Sequence, residues 1–205
     1  MQILRVVWHL MAMVGVAAVA GAAWFASQGV SAKATPGVVE TRVSRAARHW
    51  LVPAAARARV SPEGGTPATL EEGMAHWADH CASCHGNDGS GLTAIGQGLY
   101  PKAPDMRMAA TQDLSDGELF YLIEHGVKIT GMPAWGTGTP EGEQASWHLV
   151  QFIRRLPSLT EDEITDMEDL NPRGRSEWQA LEDERRFLSG TLDLPEPTPG
   201  HVHRP

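Results

Sequence analysis

The chain has few cysteines, and their shortage excludes several classes of protein. Its 205 residues contain only two, Cys81 and Cys84. Both belong to one C-x-x-C segment, so the chain cannot build a disulfide framework. A structural zinc site usually needs a second cysteine pair or histidines at a regular spacing, and neither is present. The cysteine chemistry is therefore confined to one short segment.

Charge is absent from the start of the chain. Residues 6–32 contain no Lys, Arg, Asp or Glu. An apolar stretch over 6–26 is long enough to cross a hydrocarbon core of about 30 Å as a helix, whereas a cleaved signal has a shorter apolar region. Residues 1–32 are therefore predicted to be a transmembrane anchor. The alternative is signal cleavage after Ala32, because Val30 and Ala32 form a small-residue pair.

Positive charge is scarce in the remainder of the chain. Residues 69–205 carry ten Lys and Arg against twenty-three Asp and Glu, whereas residues 1–68 carry seven against two. An acidic body argues against nucleic acid as a partner. The basic part, residues 33–68, is predicted to be a stem that prolines and glycines interrupt.

The stem contains one amphipathic pattern. Its apolar positions have helical spacing and are Val39, Val43, Ala46 and Trp50. This pattern predicts a short helix that lies on anionic lipid headgroups. A solvated linker is the alternative interpretation.

Cys81, Cys84 and His85 form the sequence C-x-x-C-H. Two thiols one helical turn apart can form thioethers to the two vinyl groups of one haem, and the next residue can ligate the iron. A zinc or redox C-x-x-C is the alternative, but it leaves His85 without a role. One motif predicts one covalent haem c, and the absence of a second motif disfavours a dihaem peroxidase.

Helix signals surround this motif. Capping boxes at Thr69 with Glu72 and at Ser115 with Glu118 predict two helix starts, and Thr139 is the predicted N-cap of a third helix. Gly73 and Trp77 precede Cys81 at four-residue intervals, and residues 131–136 read Gly-Met-Pro-Ala-Trp-Gly.

In this order the features resemble class I cytochromes c, the monohaem, His/Met-ligated family, in a membrane-anchored bacterial form. The resemblance implies an all-α fold, with a cytochrome c-like domain of three main helices around one covalent haem at residues 69–157. An N-terminal transmembrane helix and a short helical C-terminal extension flank this domain. It also implies that Gly73 lets the last helix cross closely, and Trp147, Val150 or Ile153 is expected opposite it.

The same resemblance implies the haem ligands. His85 and Met132 are the expected axial ligands, with Met106 and Met108 as less favoured competitors for the distal position. In the family a proline carbonyl accepts the ring N–H of the proximal histidine, and Pro101 or Pro104 could do so here.

Residues 158–205 lie outside the resemblance. Two short acidic helices are predicted to pack on the haem domain or to meet the basic stem electrostatically. The proline-rich end contains His201 and His203, which are either a weak metal site, for copper or another divalent ion, or incidental residues of a disordered tail.

These features predict a one-electron carrier and not an enzyme, because an iron with both axial positions occupied has no open site for substrate. Its partners would be redox proteins and the membrane. The expected location is the bacterial inner membrane, single-pass with the haem domain in the periplasm, or the soluble periplasm if the signal is cleaved. Two alternatives stay open: an electron-entry subunit of a membrane oxidoreductase or oxidase, and a haem protein coupled to copper handling through the C-terminal histidines.

Overall fold

A computed structural model describes residues 2–27, 29, 31–172 and 175–190. Within these ranges all regular secondary structure is helical, which confirms the predicted all-α class. The longer helices are α1 (Gln2–Ser27), α2 (Val38–Leu51), α3 (Pro67–His76), α4 (Asp116–His125), α5 (Pro140–Arg155) and α6 (Arg175–Leu188).

Helix α1 is apolar and exposed along its whole length. By length and composition it is able to cross a membrane, although a signal sequence at the N-terminus passes the same test. The predicted apolar helix is therefore present.

The core forms where α3, α4 and α5 pack together. Helices α3 and α5 cross at Gly73, as predicted. The residues opposite Gly73 are His148 and Phe152, so the predicted facing residues were wrong. The reason is the rotation of α5, which turns Trp147 toward α4, where its ring stacks on Phe120 at 4.2 Å.

Side-chain caps define where these helices begin. Helix α4 starts with the predicted capping box of Ser115 and Glu118, and α5 starts after Thr139. Helix α3 begins earlier than predicted, because the Thr66 hydroxyl accepts the backbone N–H of Thr69. Thr69 itself lies inside the helix, so its assignment as the N-cap was wrong.

The second half of the stem packs on the haem domain and is not a solvated linker. Val52 is buried, and the short helix Ala54–Arg57 lies against α4. Gly117 leaves room there for the carbonyl of Ala56. The guanidinium of Arg59 lies 4.2 Å from the ring centroid of Phe120.

The extension after α5 also packs on the domain. A short helix, Glu161–Asp166, leads into the turn Met167–Leu170, where Met167 is completely buried in the core. One basic group of the stem pairs with the haem domain, in the Arg59–Glu143 ion pair at 3.0 Å. The predicted electrostatic pairing of stem and extension stays a prediction. His201 and His203 lie outside the described residues.

Candidate haem site

The cysteine motif lies on a helix that changes its winding just before the motif. Helix α3 runs into a π-helical turn, Trp77–Cys81, and then returns to α-helix over Ala82–His85. A π turn is rare and often occurs at functional sites. The indole Nε1 of Trp77 donates to the Gly86 carbonyl at 3.0 Å, so the tryptophan fixes both ends of the motif helix.

Both thiols are free and half-buried. Burial, followed by the neighbouring Cys84, raises the pKa of the Cys81 thiol to about 12. Cys81 is therefore protonated at neutral pH. A redox C-x-x-C needs a thiolate with a lowered pKa, so this environment argues against that alternative.

His85 is buried next to the thiols. Burial lowers the pKa of its imidazole, and the backbone carbonyl of Pro104 partly opposes this shift. The ring is therefore neutral at neutral pH, as an iron ligand must be. The buried Nδ1 of this ring nevertheless makes no hydrogen bond of good geometry to the Pro104 carbonyl.

The glycine-rich loop after the motif holds the motif backbone. The amide of Gly91 donates to the His85 carbonyl at 2.7 Å, and the Thr93 hydroxyl donates to the Ser83 carbonyl at 2.9 Å. At Gly96 a β-carbon would overlap the Cys84 carbonyl oxygen, so only glycine allows this approach.

An ion-pair cluster closes the same loop, and no sequence motif indicated it. Arg107 pairs with Asp105 at 2.8 Å and with Asp88 at 3.3 Å. The intervening Met106 is half-buried against the core, whereas Met108 is exposed.

Met132 is half-buried in a loop that hydrogen bonds hold in place. Its amide N–H donates to the Thr130 hydroxyl at 3.1 Å, and its carbonyl accepts from the Val127 amide at 3.1 Å. The neighbouring Gly131 packs against the Leu99 side chain, which belongs to the loop after the motif. The Met132 loop and the loop after the motif are therefore in contact.

A second contact joins the Met132 loop to the motif helix. The rings of His80 and Trp135 stack with centroids 5.2 Å apart and an interplanar angle of 16°. His80 directly precedes Cys81. Sequence reasoning missed His80, because nothing in its spacing distinguishes it from an ordinary surface histidine.

Residues 68–153 match the family described as cytochrome C oxidase, cbb3-type, subunit III. Over residues 68–153 the chain is therefore similar to the cytochrome c family. No curated protein matches the chain.

The residues of this cytochrome domain fit a covalent c-type haem. Two free thiols and a buried, neutral imidazole lie on the motif helix, and the Met132 loop contacts the loop that follows them. Among the residues that the structure describes, no three His, Cys, Asp or Glu side chains cluster as a metal site. The predicted zinc alternative therefore has no support here. The domain binds c-type haem covalently and serves haem-based electron transfer.

Proposed function

We propose that the protein is a monohaem electron carrier in which His85 and Met132 are the axial ligands. The buried, neutral His85 imidazole beside two free thiols carries this proposal. The bound haem supplies a one-electron iron couple. Cys81 and Cys84 would hold it through thioethers, and a hydrogen bond from the His85 ring to the Pro104 carbonyl would orient the imidazole.

The Met132 loop supplies the proposed distal ligand of the haem iron. A thioether ligand raises the reduction potential, and its occupation of the sixth position leaves no open site for substrate. Contacts of Gly131 with Leu99 and of Trp135 with His80 support the assignment, because they fix both sides of this loop.

A potentiometric titration of the purified full-length holoprotein tests the carrier function. We expect a single one-electron transition, and no carbon monoxide binding to the ferrous form under native conditions. Rapid carbon monoxide binding, or turnover of peroxide by the native protein, would contradict a six-coordinate carrier.

We further propose that α1 stays attached and anchors the protein in the bacterial inner membrane, with the haem domain in the periplasm. The 26-residue apolar helix with every side chain exposed supports this role. In fractionated cells the haem-stained band should stay with membranes after a high-salt wash, because apolar burial does not depend on ionic strength. A soluble protein whose N-terminus is Lys33 would instead establish cleavage after Ala32.

The family match favours a second candidate, in which the protein is an electron-entry subunit of a membrane oxidase. Affinity purification of the full-length protein from mild detergent should then recover other oxidase subunits in fixed stoichiometry. Recovery of the cytochrome alone favours the free carrier. Copper coupling through His201 and His203 stays a prediction, which copper titration of a tail-deleted variant would test.

A further inference from the structure

Helix α2 has two different faces, and the haem domain covers only one of them. Its apolar side chains are strongly exposed: Val39 is 75% exposed, Val43 61% and Trp50 84%. These residues and the exposed Ala46 recur with helical spacing, so they form one continuous strip, here called the α2 apolar stripe.

The opposite face of α2 is occupied by the haem domain. The Arg48 guanidinium donates to the Ala110 carbonyl at 3.0 Å, and the ring of His49 hydrogen bonds to Glu118 at 2.9 Å. Val52, directly after the helix, is buried. The polar face of α2 therefore contacts the domain, and its apolar face points away from it. An amphipathic helix on the surface of a soluble protein has the opposite arrangement, with its apolar face on the core.

A third contact lies near the start of α2. The hydroxyl of Tyr100 donates to Glu40 at 2.6 Å. Tyr100 belongs to the loop between the motif and Pro104. Contacts at both ends of α2 consequently fix the direction of the apolar stripe relative to the haem site.

Charge around the stripe indicates what covers it. Helix α2 carries three arginines against one glutamate, and both Arg42 and Arg45 are exposed. Arg42 lies beside Val43 in the sequence and flanks the stripe, and Lys33 precedes the helix. Apolar side chains with adjacent basic residues are typical of helices that lie in the interface of an anionic bilayer.

The position of α2 in the chain supports the same occupant. Only residues 28–37 separate α2 from α1, and ten residues reach at most about 36 Å. An anchored α1 therefore keeps the stripe close to a lipid surface.

We infer that the α2 apolar stripe lies on the anionic surface of the bilayer and sets the orientation of the haem domain above it. This inference rests on the proposed anchoring by α1. The occupant is a lipid surface, and the stripe inserts at headgroup depth while Arg48 and His49 hold the domain on its other side.

Site-directed spin labelling of the full-length holoprotein tests the inference. Single additional cysteines, Val43→Cys and Trp50→Cys, place nitroxides on the stripe, and Ser44→Cys places the matched control on an exposed polar position of the same helix. Each protein is reconstituted into phosphatidylcholine vesicles with or without phosphatidylglycerol. Collision with oxygen, relative to a water-soluble nickel chelate, then reports contact with lipid.

We expect the oxygen-to-nickel ratio at positions 43 and 50 to rise severalfold when phosphatidylglycerol is present, with no change at position 44. Equal water accessibility at all three positions in both vesicles would overturn the inference. The labels at 43 and 50 could instead become immobilised in lipid-free detergent when the protein concentration is raised. That result would also overturn the inference, because it would show that a second copy of the protein covers the stripe.

A label at Val14→Cys separates this result from the anchoring proposal. Lipid contact at position 14 with water contact at 43 and 50 contradicts the stripe alone. Water contact at position 14 contradicts the anchor. The haem absorption spectrum of each labelled protein checks independently that the electron-transfer site is intact.

Discussion

Gly73 lies directly against the main chain of His148, so closely that a β-carbon on Gly73 would overlap the His148 carbonyl oxygen. The β-carbon of Phe152 would be 2.9 Å from the same point. Since backbone atoms create this obstruction, no rotamer change can relieve it. Helices α3 and α5 can keep their present separation only with glycine at this position.

We expect Gly73→Val to destabilise the holoprotein by about 1 to 3 kcal/mol, because overpacking forces the two helices apart. Gly98→Val is the matched control, since a β-carbon on Gly98 meets nothing within 4 Å. Denaturation midpoints, followed by haem absorbance, measure both. Gly89 is a poorer control because it has a φ of +74° and faces Leu156. Equal midpoints for Gly73→Val and Gly98→Val would contradict the crossing.

Haem attachment should depend on the two thiols alone. In Cys81→Ala/Cys84→Ala no thioether can form, so covalent haem should be lost. The control is Ser83→Ala, which lies between the cysteines and leaves both sulfur atoms in place. Haem staining of a denaturing gel, normalised to protein amount, measures attachment. Undiminished staining of the double variant would contradict the entire assignment.

The distal ligand can be tested by methionine substitution. Met132→Ala should lower the reduction potential and open the iron to carbon monoxide, because the thioether both raises the potential and fills the sixth position. Met108→Ala is the matched control, since Met108 is exposed. Redox titration and ligand-binding spectra measure the two effects. If Met106→Ala produces them and Met132→Ala does not, the distal loop is wrongly assigned.

Local sequence signals predicted much of this site. Each of these signals is local. The C-x-x-C-H motif and the capping box at Ser115 each span only a few residues, and the glycine at the helix crossing meets one steric requirement. The Thr69 cap was wrong because Thr66, three residues earlier, offers the same hydroxyl with Pro67 already in the first helical position. Such ambiguities lie within the usual uncertainty of helix ends.

Long-range packing was not predictable in the same way. Val52 and Met167 are buried in the domain although both lie outside the segment that resembles the family. Val52 is the last apolar residue before Pro53, and Met167 lies between Asp166 and Glu168, so neither has a periodic pattern that predicts its burial. Their burial depends on contacts far along the chain. The stacking of His80 on Trp135 is missed for the same reason.

A buried carboxylate should make stability depend on pH. Burial raises the pKa of Glu118, but hydrogen bonds from the Ser115 amide and from His49 outweigh burial and leave the pKa below its ordinary value. The contribution of the ionised group is therefore complete above the ordinary carboxyl pKa, and it is lost as pH falls through the lower folded-state pKa.

Glu118→Gln should consequently cost about 1.5 to 3 kcal/mol at neutral pH, and this difference from the unmodified protein should shrink in acid. Glu71→Gln, at an exposed position of α3, should change little at any pH. Denaturant unfolding of the holoproteins over a pH series measures the difference. A gap that widens on acidification would show that the folded-state pKa of Glu118 is raised.

The packing of the stem can be tested with two valines. Val52 is 3% exposed and Val60 is 78% exposed. Val52→Asp should destabilise the protein by at least about 1.5 to 3 kcal/mol, the burial energy of one valine, and should expose the stem to proteolysis. Val60→Asp should do neither. Limited proteolysis with mass analysis measures stem release, and identical cleavage of both variants would show that the stem does not pack on the domain.

The short link between α1 and the packed stem has a consequence for encounter rates. A long flexible linker would let the haem domain sweep a large volume. With α1 anchored as proposed, a link of at most about 36 Å would confine the domain to a thin layer above the bilayer. A redox partner held within that layer would meet the haem domain at an effective concentration on the order of millimolar. At that effective concentration, weak binding between the partner and the haem domain is sufficient for electron exchange. The partner can then dissociate rapidly after electron transfer and still meet the domain often.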